Sequence, residues 1–245
     1  LCCFCKNKFL QVGSYNDIVG PLFRQPYDDR TLGVVVVTTP SFFEITFKRW
    51  LVLKKRSEES LDEFASKFSS GPIESFFTEK FAHVQQVQMQ FLVFEPLKIN
   101  LIRDNDLLPN RRPKILMTTC GHVSGAAFLY HPPEAALASV RTSATKKSHR
   151  VGVCLHPKYG GHFAFRGALI FPEIFVAETF EEKRAPMLLD TVEKQNEAVE
   201  LFNSQWQSGK YRDCGNPEEK YSPLQLKYFS TLPSDRWPLI AHWFQ

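Results

Sequence analysis

An arginine in the middle of an aromatic strand is the first residue of this sequence to demand a chemical explanation. Arg166 is the penultimate residue of the stretch HPKYGGHFAFRG (residues 156–167), where the apolar run from His162 to Phe171 predicts a β-strand. A guanidinium there must either snorkel to water or meet an anion, because burying it unpaired is very costly. Strand periodicity puts His162, Ala164 and Arg166 on one face and Phe163, Phe165 and Gly167 on the other. Taken singly, the other candidates are bland. Arg212 in KYRDC and Arg236 in SDRW read as surface charges, and NRRPK (residues 110–114) as a solvated helix start. His122 reads as a satisfied core or surface histidine. Gly160 and Gly161 read as turn glycines, since neither a helix nor the GKS or GKT of a phosphate loop follows them. Cys2, Cys3 and Cys5 form a CCxC cluster, but no second Cys or His pair stands at a zinc-site spacing from it. Cys154, in an apolar strand pattern, reads as a buried free thiol. No Ser/His/Asp order, HExxH, CxxC pair or GxGxxG stands out.

The elements that must position these residues are legible in outline. TLGVVVVTTP (residues 31–40) predicts a buried strand closed by Pro40. Ser41 and Glu44 have capping-box spacing ahead of a stripe of Phe43, Phe47, Trp50 and Leu51. SEESLDEFASKF repeats that pattern with Leu61, Phe64 and Phe68, and Gly71-Pro72 is expected to stop it. A third helix is expected from Glu74 to about Gln88, and KINLIRD (residues 98–104) alternates like a strand. Pro113 suits a first helical turn, followed by a helix of small residues from Thr118 to Ala127 that a large flat partner can approach closely. Residues 132–150 read as a polar loop carrying Lys146, Lys147 and Arg150. Val151–Leu155, the turn Pro157–Gly161 and His162–Phe171 predict a β-hairpin. A loop after Pro172 should lead to a helix near Val192–Trp206, then a helix capped by Ser222-Pro223, then an amphipathic helix from Asp235 to Phe244. Helices mixed with few strands predict an α+β domain on a mostly antiparallel sheet.

Composition excludes several classes. Of 245 residues, 43% are hydrophobic and 23% charged, which is globular and not disordered. The longest aliphatic run, Val34–Val37, is far too short to span a bilayer. A formal charge of +4 mildly favours small anions, but no basic stripe interleaved with aromatics points to nucleic acid. Six cysteines at this density favour reduced thiols and a cytoplasmic setting over a disulfide framework.

At NRRPKIL with HVSGAA, at GVCLHPKYGGHFAFRG, and at YRD with EEKYSPLQLKYFST, the sequence resembles the CblC family. These are cytosolic cobalamin-processing proteins whose loss causes methylmalonic aciduria with homocystinuria. The likeness runs more weakly through YND (residues 15–17) and TTPSFFE (residues 38–44), so it covers nearly the whole chain with its motifs in one order. It implies a flavin-nitroreductase-like α+β architecture, with a mostly antiparallel sheet flanked by helices. It also implies a single domain over 1–245, whose C-terminal helical segment (about 190–245) contributes to a glutathione site. Such proteins hold cobalamin base-off and remove its upper axial ligand. Glutathione takes the alkyl group of alkylcobalamins, and reduction expels cyanide from cyanocobalamin. Some members use FMN or FAD, and some oxidise thiols with oxygen.

The resemblance also assigns residues. Arg166, Arg212 and Arg236 match arginines lining the glutathione pocket. His122 matches a histidine near the displaced dimethylbenzimidazole tail, and Gly152 a glycine of the tail pocket, where a side chain should clash. Cys154 falls in the same cobalamin-binding set. His131 and His162 depart from the Gln and Trp of relatives, and are placed near the corrin as residues able to coordinate cobalt or tune its reaction with oxygen. Implied partners are a CblD-type adaptor and proteins of the methionine synthase pathway, with neither nucleic acid nor membrane insertion. The long Pro/Ser-rich tail of some relatives is not in this sequence, so contacts made by it are not expected. A non-catalytic cobalamin carrier and a nitroreductase-type flavin reductase stand as the alternative readings.

Overall fold

The computed structural model describes residues 5–69, 71–91, 97–132 and 150–245. Its frame is a four-stranded antiparallel sheet in the order β1 (Cys5–Gln11), β2 (Thr31–Thr38), β6 (Ala164–Phe175), β3 (Asn100–Arg103). A separate two-stranded ladder joins β4 (Phe128–Tyr130) to β5 (Val153–Leu155). Helices cover both faces of the sheet, which is why the valine run of β2 shows no alternation of polarity: Val35, Val36 and Val37 are all buried. The α+β class with an antiparallel sheet flanked by helices is as expected.

On one face, Val34, Val36 and Leu169 meet an aromatic core. It is supplied by α2 (Lys48–Lys54), α3 (Leu61–Ser66), α4 (Pro72–Phe91), α7 (Pro223–Ser230) and α8 (Trp237–Ile240), together with the turn at residues 42–47 that leads into α2. Phe42, Phe43, Phe47, Phe76, Tyr228 and Trp243 pack there edge-on or stacked, an arrangement that aromatic quadrupoles favour. On the other face, Val35 and Ala168 meet α1 (Val12–Ile18) and α5 (Met117–Val123) through Tyr15, Cys120 and Val123. The α6 helix (Val192–Ser204) buries Ala198 and Val199 against Tyr130, Val153 and Leu155 of the small ladder.

Local signals held where the chain end is simple. Ser60 and Glu63 form a reciprocal capping box on α3, and Ser222 caps α7 with Pro223 in its first turn. Ser60→Ala is expected to cost about 1 kcal/mol of stability, read by denaturant melting, while Ser57→Ala should cost nothing measurable.

Several expectations are corrected. Ser41 does not cap a helix. Its hydroxyl pairs with Thr39 Oγ1 at 3.0 Å, Glu44 accepts from Ser222 Oγ at 2.7 Å, and residues 42–47 make a wide π-type turn. Gly71-Pro72 opens α4, and α3 ends earlier at Ser66. The basic segment before α5 is a turn with Arg111 at φ 64°, so the helix begins at Met117 and not at Pro113. The predicted hairpin does not form. Its first arm, β5, pairs with β4, its second, β6, enters the main sheet, and the arms share only the His156–Gly160 bridge. Strand β6 continues through Pro172, where an irregularity between Thr31 and Leu32 of β2 removes the need for a ladder donor. The C-terminal segment is the short helix α8 between two 3-10 turns rather than one continuous helix. Cys2, Cys3, Lys146 and Lys147 lie outside the described residues, whereas Arg150 pairs with Glu200 at 2.9 Å.

Candidate functional site

Arg166 sits at a fault in the sheet. Opposite it the register of β2 slips, with Val36 facing Gly167 and Val37 facing Phe165, so Arg166 has no cross-strand partner. A bulge of this kind re-aims a side chain, and here the guanidinium lies over the ring of Phe77 on α4, 5.1 Å from its centroid. The side chain is only 13% exposed, and its nearest carboxylate is Asp104 at 3.7 Å. Its Nε is buried without any partner. A guanidinium with five N–H donors, one long ion pair and an orphaned Nε is poorly satisfied. That state suits an incoming anion. Burial pushes the Asp104 carboxyl above the usual range, with Arg166 pulling the other way.

Arg212 is delivered by the turn Lys210–Asp213. Gly160 and Gly161 do more than turn the chain. A Cβ on Gly160 would lie 2.5 Å from the Arg212 carbonyl oxygen, and one on Gly161 would lie 2.8 Å from the Arg212 Cα. The missing side chains let the two segments exchange bonds: Gly161 N–H donates to Arg212 O at 3.0 Å, and Arg212 Nη1 donates to Gly161 O at 2.6 Å. The guanidinium is covered by Tyr211 and Tyr221 at 4.8 and 5.1 Å, and it borders a cavity of about 250 Å³ with Trp206, Ser208, Lys227 and Phe229.

Arg236 donates through Nε to Thr231 O at 2.9 Å and lies 5.2 Å over Tyr228. It lines a different cavity, of about 480 Å³, with Phe68, Pro72, Glu74 and Trp237. The structure therefore lays Arg212 over Tyr221, whose phenol burial pushes up to about 12 while the charges of Arg212 and Arg166 act in the opposite sense, and lays Arg166 over Phe77. Arg236 stands apart on Tyr228, further along α7. Tyr221, Tyr228 and Asp104 are site neighbours that sequence reasoning did not single out. The spacing of the two tyrosines about the Ser222-Pro223 cap was the available signal.

The second region lies across the sheet. His122, near the end of α5, accepts the Leu129 N–H on Nδ1 at 3.3 Å and stands edge-on to Phe128. In the neutral ring this puts the proton on Nε2. Burial lowers its pKa, and the nearby His131 and Arg184 lower it further. It borders a cavity of about 580 Å³ shared with Ser14, Asp17, Phe180, Glu182 and Arg184. The small residues of α5 serve close packing: a Cβ at Gly121 would fall 2.3 Å from the Phe165 ring. A Cβ at Gly152 would meet the Tyr130 carbonyl oxygen at 2.8 Å, so the clash expected there is with the protein's own β4. The Cys154 thiol is buried, points at Thr118 O at 3.6 Å, and is held well above the ordinary thiol range by burial, which is an inert setting.

The family decides among the readings. The model of the methylmalonic aciduria and homocystinuria type C family matches residues 5–240. The chain belongs to this family. A Caenorhabditis elegans MMACHC-like protein is 36% identical over 97% of the chain and 88% of its own length. The Gallus gallus and Homo sapiens proteins named cyanocobalamin reductase / alkylcobalamin dealkylase are 38% and 31% identical, over 94% of the chain in each case and 88% and 74% of their own lengths. The solved structure of a Caenorhabditis elegans B12-trafficking CblC protein superposes with a TM-score of 0.86 at 34% identity, covering 98% of this chain and 90% of that one. This likeness bears out the nitroreductase-like α+β architecture.

The two histidines expected near the corrin differ sharply in setting. His131 is exposed. His162 is 2% exposed, and both ring nitrogens are engaged by protein, Nδ1 by Tyr221 N–H at 3.2 Å and Nε2 by Asp213 at 3.3 Å. An imidazole so committed has no lone pair left for cobalt.

Proposed function

We propose that this chain is a cobalamin-processing enzyme that holds cobalamin base-off and removes its upper ligand, using glutathione to dealkylate alkylcobalamins and a reductant to decyanate cyanocobalamin. The observation that carries the glutathione half of the reading is Arg166, thrown out of register by a bulge, mostly buried, and short of partners, with its Nε left unpaired. Glutathione carries carboxylates, and guanidinium groups grip carboxylates bidentately. Arg236, one helix away, is assigned to the far end of the same tripeptide. The C-terminal segment thus completes the binding site of a single domain. The electropositive surroundings also lower the thiol pKa and raise the thiolate fraction at neutral pH.

The chemistry balances simply. The thiolate sulfur attacks the alkyl carbon in line with the Co–C bond, that bond's electron pair stays on cobalt, and the products are a glutathione thioether and cob(I)alamin. The thiol proton goes to solvent. Holding the two reactants in line supplies much of the rate. In decyanation one electron from an external donor, a reduced flavin by class, gives cob(II)alamin and free cyanide. Space for the displaced tail is assigned to the cavity at His122, whose Nε2–H is the donor offered to it. The free thiols of Cys120, Cys154 and Cys214 suit a cytoplasmic setting. No described helix is long and apolar enough to cross a membrane. A CblD-type adaptor on the route to methionine synthase is the partner this reading implies.

Absorbance spectroscopy of the protein with methylcobalamin in the absence of thiol tests the binding half. A shift to the base-off spectrum is expected; a base-on spectrum at saturation would refute the assignment of the tail cavity. A thiol oxidase side activity is assigned to bound cobalamin open to oxygen next to exposed His131. His131→Gln is expected to change aerobic glutathione oxidation severalfold, measured as oxygen uptake, and an unchanged rate would remove any role for this side chain.

A further inference from the structure

His162 touches both segments that frame Arg212. Its Nδ1 accepts the Tyr221 N–H at 3.2 Å, and its Nε2 lies 3.3 Å from Asp213 Oδ1. An accepting Nδ1 places the proton of the neutral ring on Nε2, where it donates to Asp213. The ring also stands edge-on to Tyr221, with centroids 5.3 Å apart and planes at 82°. One buried imidazole thus fastens the residue after Arg212 to the backbone of the tyrosine that covers the Arg212 guanidinium. The chain neighbour Gly161 binds Arg212 at both its backbone carbonyl and its guanidinium. Two hydrogen bonds of His162 and two of Gly161 therefore converge on the placement of a single arginine.

The two ends of the ring are not equivalent. Asp213 has a second partner in Lys220 at 2.7 Å, so losing Nε2 leaves its carboxylate paired. The Tyr221 N–H is buried, and losing Nδ1 leaves it without that acceptor, the more expensive loss.

We infer that His162 is a positioning residue for glutathione use: through Asp213 and Tyr221 it fixes the 210–213 turn and so sets where Arg212 presents its N–H groups to the thiol substrate. This rests on the reading of Arg212 as a glutathione contact. Its effect is preorganisation, which lowers the cost of binding without touching the reacting atoms. Loosening the joint raises the glutathione KM, and leaves the saturated rate and cobalamin affinity in place.

Steady-state dealkylation of methylcobalamin, with glutathione varied, separates the possibilities across the wild type, His162→Phe, His162→Asn and Arg212→Ala. His162→Phe keeps a ring but neither bond, and is expected to raise the glutathione KM roughly tenfold, as for one buried amide left unmade, with kcat and the cobalamin Kd within about twofold. His162→Asn, whose Oδ1 takes the place of Nδ1, is expected to recover most of that loss. A wild-type KM in His162→Phe alongside a raised KM in Arg212→Ala would overturn the inference and leave the site reading intact. A wild-type KM in Arg212→Ala would overturn the site reading itself. If His162→Phe does not fold, His162→Gln, which reaches Asp213 but not Tyr221, should have a higher KM than His162→Asn, and the opposite order would sink the proposal.

Discussion

Arg166→Gln is expected to raise the glutathione concentration needed for half-maximal dealkylation by ten- to a hundredfold while changing cobalamin affinity less than threefold. The size follows from losing charge-assisted hydrogen bonds, about 1.5–3 kcal/mol for a carboxylate partner. The direction of the stability effect is less intuitive. Removing one half of a well-made buried ion pair is normally very destabilising, but a pair that only offsets its own desolvation contributes little. Arg166 belongs to the second kind, since its contact to Asp104 is 3.7 Å long and the Asp104 side chain is 39% exposed. Its Nε has no partner to lose. The melting temperature of Arg166→Gln should therefore fall by no more than a few degrees, and unliganded protein is the state in which to measure it. Steady-state kinetics with varied glutathione and cobalamin titrations followed by absorbance give the two affinities. Equal losses in both would mean that Arg166 holds the sheet rather than the thiol.

Gly125→Ala is expected to destabilise the protein by roughly 3 kcal/mol or more, in the range of severe backbone substitutions. Gly125 follows α5 with φ +70°, and a Cβ there would sit 1.7 Å from the Lys183 carbonyl oxygen. Neither the left-handed conformation nor the clash can be relieved by rotating a side chain, because the obstruction is backbone. The 183–185 segment must withdraw, taking Arg184 away from the cavity that it shares with His122. For a chain of this length such a loss lowers the melting temperature by roughly 10 °C, and cobalamin binding should weaken with it. Gly20→Ala is the control, since a Cβ there meets nothing within 4 Å and its φ is −65°. Similar melting of the two variants would show that the 183–185 segment is not pinned at Gly125.

What the residues announced in advance was mostly local. The valine run of β2, the small-residue helix and the Ser222-Pro223 cap each carry their own signal within a few positions. The apparent hairpin was misleading because HPKYGG has good turn chemistry whichever sheet its arms join, and pairing is decided by tertiary partners. The bulge at Arg166 was invisible for a related reason. It exists only as a mismatch between β6 and a strand more than a hundred residues earlier. That Arg166 was mostly buried could be argued from its apolar neighbours, but Asp104 and Phe77 come from two other segments. His162 shows the limit most clearly. The resemblance placed it near the corrin, while its ring is spent on Asp213 and Tyr221. Those two contacts are tertiary, from segments about fifty and sixty residues away, and no local pattern announces them.

The most direct test of glutathione-dependent dealkylation is an anaerobic single-turnover reaction of protein-bound methylcobalamin with glutathione, followed by absorbance and by quantifying S-methylglutathione. The expected result is loss of the methylcobalamin spectrum with one S-methylglutathione formed per cob(I)alamin. A base-off methylcobalamin spectrum that persists under saturating glutathione, with no thioether formed, would contradict the account and leave a carrier in its place.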